Sequence, residues 1–175
     1  MEAGSAYTGR LPRGCVLCRQ GTKMVLLVTG RCSTGCYYCP LSLEKRGKNV
    51  VYANELKASS DEDVIKEAKM IGAQGTGVTG GDPVACLDRT VHFIKLLKKT
   101  FGKRHHVHLY TSSLDTSAFR ALKDAGLDYY NHNLDTAPEY YTDVVSTRAY
   151  QDRLDTLQHV RAAGISVCCG GIVGM

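Results

Sequence analysis

The chain has 175 residues, 22 of them Lys or Arg and 17 Asp or Glu, for a formal charge of +5. With 43% hydrophobic and 22% charged residues it has the profile of a folded globular chain, which excludes a disordered tail. The excess positive charge is local: residues 1–60 carry nine Lys/Arg against three Asp/Glu, a bias that suits an anionic partner or cofactor and falls short of a nucleic-acid footprint.

The first 14 residues contain no apolar core of the secretory-signal kind. The longest apolar run, residues 24–28, is far below the roughly 20 residues needed to span a bilayer. A cytoplasmic location is expected. In a reducing compartment the eight cysteines point to metal or redox chemistry rather than to disulfides.

Residues 1–22 read as an N-terminal extension carrying Cys15-x-x-Cys18, and residues 23–175 as a core that is incomplete at its C-terminus. A first strand is predicted over 25–29. Ser59 and Glu62 have capping-box spacing at the start of a helix on which Val64, Ala68 and Ile71 recur, stopped by Gly72. A strand over 76–79 breaks at Gly80-Gly81. The next helix carries Leu87, Val91, Ile94 and Leu97 and ends at Gly102. A strand over 107–111 and a helix over 116–125 follow, then a strand-like run over 127–134. A helix with Tyr150, Leu154 and Leu157 ends at Gly164, and residues 165–173 form a last apolar strand. Five strands with a helix between each consecutive pair imply parallel pairing and an α/β fold, because each strand must be carried back by a crossover. Barrels of this type place their chemistry at the C-terminal strand ends. No helix follows the fifth strand, so the expectation is a partial (β/α) barrel, truncated after about five parallel strands, within a longer protein.

The strongest constellation is Cys32-x3-Cys36-x2-Cys39, directly after the first strand. Three thiolates from one short loop can ligate three irons of a cubane cluster, leaving the fourth iron open to a small molecule. Binding zinc, or nothing, are the plainer readings of the same loop. A separate reading pairs Cys15-x2-Cys18 with Cys36-x2-Cys39 as a zinc ribbon, a nucleic-acid-binding module. That pairing leaves Cys32 spare and puts a buried strand between the two knuckles.

The Cys-x3-Cys-x2-Cys loop, with Tyr38 before its last cysteine, resembles the signature of radical S-adenosylmethionine (SAM) enzymes. Two further motifs are similar to that family's: Thr79-Gly80-Gly81-Asp82-Pro83 after the second strand, and Gly170-Gly171-Ile172-Val173-Gly174 on the fifth. The resemblance implies a 4Fe–4S cluster on Cys32, Cys36 and Cys39, with SAM on its open iron. It implies contacts to SAM from Tyr38, from Gly80, Gly81 and Asp82 at the amino group, and from Gly171 and Ile172 at the adenine. The family's usual acid in the second motif is Glu, one methylene longer than Asp82. The implied chemistry is reductive cleavage of SAM to methionine and a 5′-deoxyadenosyl radical, which abstracts hydrogen from a substrate. The resemblance also implies a protein electron donor such as flavodoxin or ferredoxin, and no membrane partner.

Residues 11–113 resemble a largely uncharacterised archaeal radical SAM group, through Leu-Pro-Arg-Gly-Cys15-Val-Leu-Cys18 and Gly-Thr-Gly-Val-Thr-Gly-Gly-Asp82-Pro. Residues 124–174 resemble biotin synthase, a sulfur-inserting transferase, through Tyr-Tyr-Asn131-His-Asn133-Leu-Asp135-Thr and Val-Cys168-Cys-Gly-Gly-Ile-Val-Gly. That second resemblance implies that Asn133 and Asp135 contact the SAM ribose and the substrate, with Asn131 close by, and that Cys168 belongs to a sulfur-donating 2Fe–2S centre. Such a centre also needs cysteines from strands two and three, which read Gly-Thr-Gly-Val-Thr and Val-His-Leu-Tyr-Thr. The expectation is therefore SAM cleavage, a small-molecule substrate of unassigned identity, and no second cluster through Cys168. Cys15 and Cys18 stand as candidates for an auxiliary metal, redox work or simple packing. His106 and His108 share one face of their strand, with His105 on the other. Lys98-Lys99 and Lys45-Arg46 read as solvated charge runs. No side chain is put forward as an acid–base catalyst.

Overall fold

The computed structural model describes residues 9–34, 36, 39–111 and 116–172, with Thr116 described by its backbone only. The first strand, β1 (Lys23–Leu27), follows a helix, α1 (Arg13–Arg19). Then come a hairpin, β2 (Val51–Ala53) and β3 (Leu56–Ala58), and the repeating part of the chain. That part comprises α2 (Asp61–Met70), β4 (Gly75–Thr79), α3 (Leu87–Phe101), β5 (His106–Tyr110), α4 (Thr116–Ala125) and β6 (Tyr129–Asn131). A short α5 (Tyr141–Val144), α6 (Tyr150–Ala162) and β7 (Ser166–Cys168) close it.

The seven strands form one sheet in the order β3-β2-β1-β4-β5-β6-β7. Five of them, β1, β4, β5, β6 and β7, are parallel, as the alternating pattern requires. The other two are a correction to the five-strand reading: β2 and β3 add antiparallel to the β1 edge. Their two-residue turn sets Asn54 at φ +52, and the Asn54 side chain accepts from Val25 N at 2.9 Å and donates to Glu67 at 2.7 Å. The last two parallel strands are shorter than the runs of apolar residues that announced them, three residues each.

Met24, Leu26, Val28, Val78, Val107, Leu109 and Tyr130 point to the outer face of the sheet. There they pack on Val64 and Ala68 of α2, Phe93, Ile94 and Leu97 of α3, Phe119 and Leu122 of α4, and Val160 of α6. α2 starts one residue later than expected. Ser60, not Ser59, is the N-cap, and its reciprocal partner is Asp63, not Glu62. The difference is a matter of phase, since both pairs have the same spacing and only Ser60 precedes the first helical turn.

The inner face is polar. Lys23 donates to the Tyr110 hydroxyl at 2.7 Å, and the His108 and Tyr129 rings stack at 4.7 Å. α1 lies against this face. A β-carbon on Gly14 would fall 1.9 Å from the His108 ring, and one on Gly75 would fall 2.8 Å from Leu17 Cδ1, so two glycines admit the helix. His105 faces outward, as alternation predicted, where it bonds Thr76 Oγ1 at 2.9 Å and stacks on Phe101. Lys98 is not a solvated charge: it bonds Asp128 at 2.6 Å and the His105 carbonyl at 2.7 Å. Lys45 likewise pairs with Glu55 at 3.0 Å and lies over the Tyr52 ring. No helix among the described residues is long and apolar enough to cross a membrane.

Candidate active site at the C-terminal strand ends

The cysteine loop leaves β1 through Val28-Thr29-Gly30 and is pinned at its base. Gly30 N donates to Lys48 O and Gly47 N to Gly30 O, both at 2.8 Å, which closes the loop upon itself. A β-carbon on Gly30 would meet Lys45 O at 1.6 Å, so only glycine fits this crossing. Arg89, from α3, donates to Val28 O at 3.0 Å and to Asn49 at 2.7 Å. Within the loop, the sulfurs of Cys32 and Cys36 converge on one hydroxyl, that of Thr34, at 2.9 and 3.7 Å, and Thr34 N donates to Cys32 Sγ at 3.4 Å. Cys39 is tied back by its amide to Cys36 O at 3.2 Å. Tyr38, the fourth residue drawn from this loop, lies outside the described residues.

The Gly80-Gly81-Asp82 turn is fused to this loop. The β1–β4 ladder continues beyond the strands, with Gly81 N donating to Thr29 O at 2.8 Å and Asp82 N to Arg31 O at 2.7 Å. β-carbons on Gly80 and Gly81 would lie 2.4 Å from Thr29 O and Arg31 O, respectively. The glycines are what allow two backbones to touch. Asp82 is buried; it accepts from Val84 N at 3.3 Å and from the Thr111 hydroxyl at the end of β5. Its carboxylate thus spans the ends of β4 and β5.

The β6–β7 pair also extends past its strands. His132 N donates to Cys168 O at 3.0 Å, Leu134 N to Gly170 O at 2.8 Å and Ile172 N to Asp135 O at 2.7 Å, and Asp135 bridges Gly171. Asp135 has φ +64, and its carboxylate is ion-paired with Arg153 of α6, both side chains being 13% exposed. Arg153 is itself held by the Tyr141 hydroxyl at 2.9 Å. Asn133 is exposed above this pair, Asn131 and Cys168 share a register row on the inner face, and Ile172 is exposed. Four residues that hold this end of the molecule together, Thr34, Arg89, Thr111 and Arg153, were not singled out in the sequence. Arg89, Thr111 and Arg153 act over separations of 61, 29 and 18 residues that no local spacing encodes, whereas Thr34 lies within the cysteine loop, two residues from Cys32 and from Cys36.

The ribbon reading is corrected here. Cys15 and Cys18 sit on α1, and the described residues contain no group of three or more His, Cys, Asp or Glu that could hold a single metal ion. For Cys32, Cys36 and Cys39 the donor set is three soft sulfurs on one pinned loop, half-exposed to exposed, with the Thr34 N–H directed at Cys32 Sγ and the Cys36 thiol donating to the Thr34 hydroxyl. That set fits a cluster in which each thiolate binds a different iron.

The radical SAM superfamily profile matches residues 26–175, from β1 through all three motifs. The chain belongs to the radical SAM superfamily, a superfamily of enzymes. An archaeal protein of Methanocaldococcus jannaschii, described as a candidate glycyl-radical enzyme activating enzyme, is 46% identical over 121 residues, 68% of this chain and 32% of that one. A biotin synthase of Paracidovorax citrulli is 49% identical over 179 residues, 99% of this chain and 48% of that one. Among solved structures, HydG, a maturase of the [FeFe]-hydrogenase, superposes with a TM-score of 0.66 at 22% identity, over 88% of this chain and 36% of that one. It supports the radical SAM fold. The chain spans less than half the length of these relatives.

Proposed function

We propose that this chain is the SAM-cleaving core of a radical enzyme acting on a small organic substrate. The reading rests on one observation: the cysteine loop and the Gly80-Gly81-Asp82 turn form a single hydrogen-bonded unit at the C-terminal edge of the parallel sheet. Cys32, Cys36 and Cys39 would hold the 4Fe–4S cluster. When bound, that cluster supplies the electron for reductive cleavage of SAM into methionine and a 5′-deoxyadenosyl radical, which takes a hydrogen atom from the substrate. The protein's part is to bind, orient and exclude water.

The Gly80-Gly81 backbone, backed by Asp82, receives the amino end of SAM, with Tyr38 as a further contact drawn from the family resemblance. Asp135, fixed by Arg153, and Asn133 take the ribose, and Gly171 and Ile172 the adenine. Asn131 and Cys168 face the substrate side. A protein donor such as flavodoxin or ferredoxin delivers the electron.

Sulfur insertion of the biotin synthase kind is a second reading, favoured by the 49% identity to the P. citrulli enzyme. The inner face argues against it. Beside Cys168 it presents Asn131, Tyr110, His108, Gly77 and Gly75, with no cysteine on β4 or β5, and one thiolate cannot hold two irons. The chain should bind no 2Fe–2S centre through Cys168 and should make no biotin from dethiobiotin. A 2Fe–2S signal that is lost in Cys168→Ala would reverse that judgement.

Anaerobic reconstitution with iron and sulfide tests the main reading. The expected product is brown, absorbs broadly near about 400 nm, holds on the order of 4 Fe per chain and loses all of this in Cys32→Ala. A colourless chain holding one zinc, indifferent to Cys32→Ala, contradicts it.

A further inference from the structure

The N-terminal excess of positive charge has no part in the site at the C-terminal strand ends, and the fold gathers much of it in one place. Residues 9–23 contain Arg10, Arg13, Arg19 and Lys23 and no acidic residue. On α1, Arg13, Val16 and Arg19 recur at every third position and lie along one side of the helix, the two arginines about 9 Å apart along its axis. That side, with Arg10 from the segment before the helix, lines a cavity of about 870 Å³ bounded on the sheet by Tyr129, the first residue of β6. The Tyr129 ring is held in place by stacking on His108 at 4.7 Å. The three guanidinium groups lack an acidic counterpart. Among the described residues none of them is ion-paired with a carboxylate, and Arg13 donates to the neutral Gln74 side chain at 2.9 Å. Asp128, next to Tyr129 in the chain, is already taken up by Lys98 at 2.6 Å and by Val107 N at 2.8 Å.

We propose that this cavity binds a small molecule carrying linked phosphates, either free pyrophosphate or the diphosphate of a nucleotide. Three positive charges gathered without an acid repel one another, and a ligand with several negative charges relieves that repulsion. Guanidinium forks match phosphate oxygens two at a time, and guanidinium groups spread along a helix can each take a different phosphate of a linked pair. A lone carboxylate would satisfy one of them and leave the others unpaired. The volume is that of a small-molecule site, for which the usual range is roughly 300–1,000 Å³. A nucleic acid would instead call for a basic stripe across the surface, and the chain's formal charge is only +5. Tyr129 opens β6 at the N-terminal end of the strands, so this cavity and the cysteine loop, which follows β1, lie toward opposite ends of the sheet. A ligand held there bridges the segment before α1, the helix itself and β6, and braces α1 on the inner face. The proposal does not rest on the SAM reading.

The test is isothermal titration of the whole chain, without added metal, with sodium pyrophosphate at low ionic strength, the melting temperature of each variant confirming that it is folded. One site per chain is expected, with an affinity that falls roughly tenfold or more in Arg13→Gln and in Arg19→Gln. Arg46→Gln, which removes an exposed cation outside the cavity, should leave the affinity unchanged. Orthophosphate and citrate should each bind at least about tenfold more weakly than pyrophosphate, since neither offers linked phosphates to separate forks. ADP as the titrant names the source: tighter binding than pyrophosphate identifies the diphosphate of a nucleotide, and equal or weaker binding identifies free pyrophosphate. Absence of pyrophosphate binding, several sites per chain, an equal loss in Arg46→Gln, or citrate binding as tightly as pyrophosphate would each overturn the proposal. A single-stranded oligonucleotide that binds more tightly than either titrant would overturn it in favour of a nucleic-acid surface. Because the titration uses neither iron nor SAM, its failure leaves the cluster assignment untouched, and the converse also holds.

Discussion

A methyl group at Gly81 has nowhere to go: its β-carbon would sit 2.4 Å from Arg31 O and 2.6 Å from Gly30 O, both backbone atoms that cannot swing aside. Gly81→Ala is expected to cost about 1–3 kcal/mol in urea unfolding and to lose SAM binding with it, because the cysteine loop must lift off the turn. Unchanged stability would show that this contact is softer than the geometry implies. At Asp135 the argument is electrostatic. Removing the carboxylate takes the ion-pair partner from the Arg153 guanidinium at 13% exposure and leaves its bond to the Tyr141 hydroxyl, so Asp135→Ala should lose about 1–3 kcal/mol of stability. It should also weaken SAM binding by about 1–3 kcal/mol through the lost ribose hydrogen bond. If SAM binds Asp135→Ala as well as the parent, in calorimetry at a temperature where both are folded, the ribose assignment fails. Asp135 could be singled out in the sequence because it stands in a recognisable string with Asn131 and Asn133. Its ion-pair partner could not, since Arg153 lies 18 residues on, within α6, and nothing in its spacing ties it to Asp135.

The parallel strands and the helices between them were legible because each carries a periodic apolar set and most helices end at a glycine. What the pattern left out is short. β2 and β3 have three residues each, too few for alternation to register, and their turn uses Asn54-Glu55 rather than an Asn-Gly pair. α1 was also missed: it has only seven residues, no side-chain cap, and a glycine that reads as a breaker until His108 is seen beneath it. Gly14→Val should therefore displace α1 while leaving the parallel sheet intact. Hydrogen exchange would then rise over residues 13–19 and remain slow in β4 and β5. Equal protection across α1 in the variant would show that the helix does not rest on His108. Moving the α2 cap by one residue makes a sharper test, since Ser60→Ala should cost about 1 kcal/mol and Ser59→Ala much less.

Across the whole molecule, three buried histidines set the acid limit of stability. Burial lowers His105, His108 and His132 from the usual 6.5 to about 4, with Lys98, Lys23 and Arg153 adding to it respectively. In the unfolded chain they take up protons near pH 6.5, while in the folded chain they resist until about 4. The unfolded state thus binds more protons between those values, so stability is full above pH 6.5 and falls as pH drops toward 4. The melting temperature should be flat from pH 8 to 7 and decline steadily between pH 6.5 and 4; a flat profile down to pH 4.5 would mean that these imidazoles are solvated. At the same scale the candidate site was legible in the pattern of glycines, cysteines and acids at successive strand ends, while the inner face, with Gly14 of α1 resting on His108, came only from the fold. The central claim is that the cluster loop and the glycine turn act together on SAM. The most direct measurement is release of 5′-deoxyadenosine from SAM by the anaerobically reconstituted, dithionite-reduced chain without added substrate, followed by chromatography. The account predicts slow, steady formation of 5′-deoxyadenosine that disappears in Cys32→Ala. A chain that carries its full complement of iron and still leaves SAM intact would contradict it.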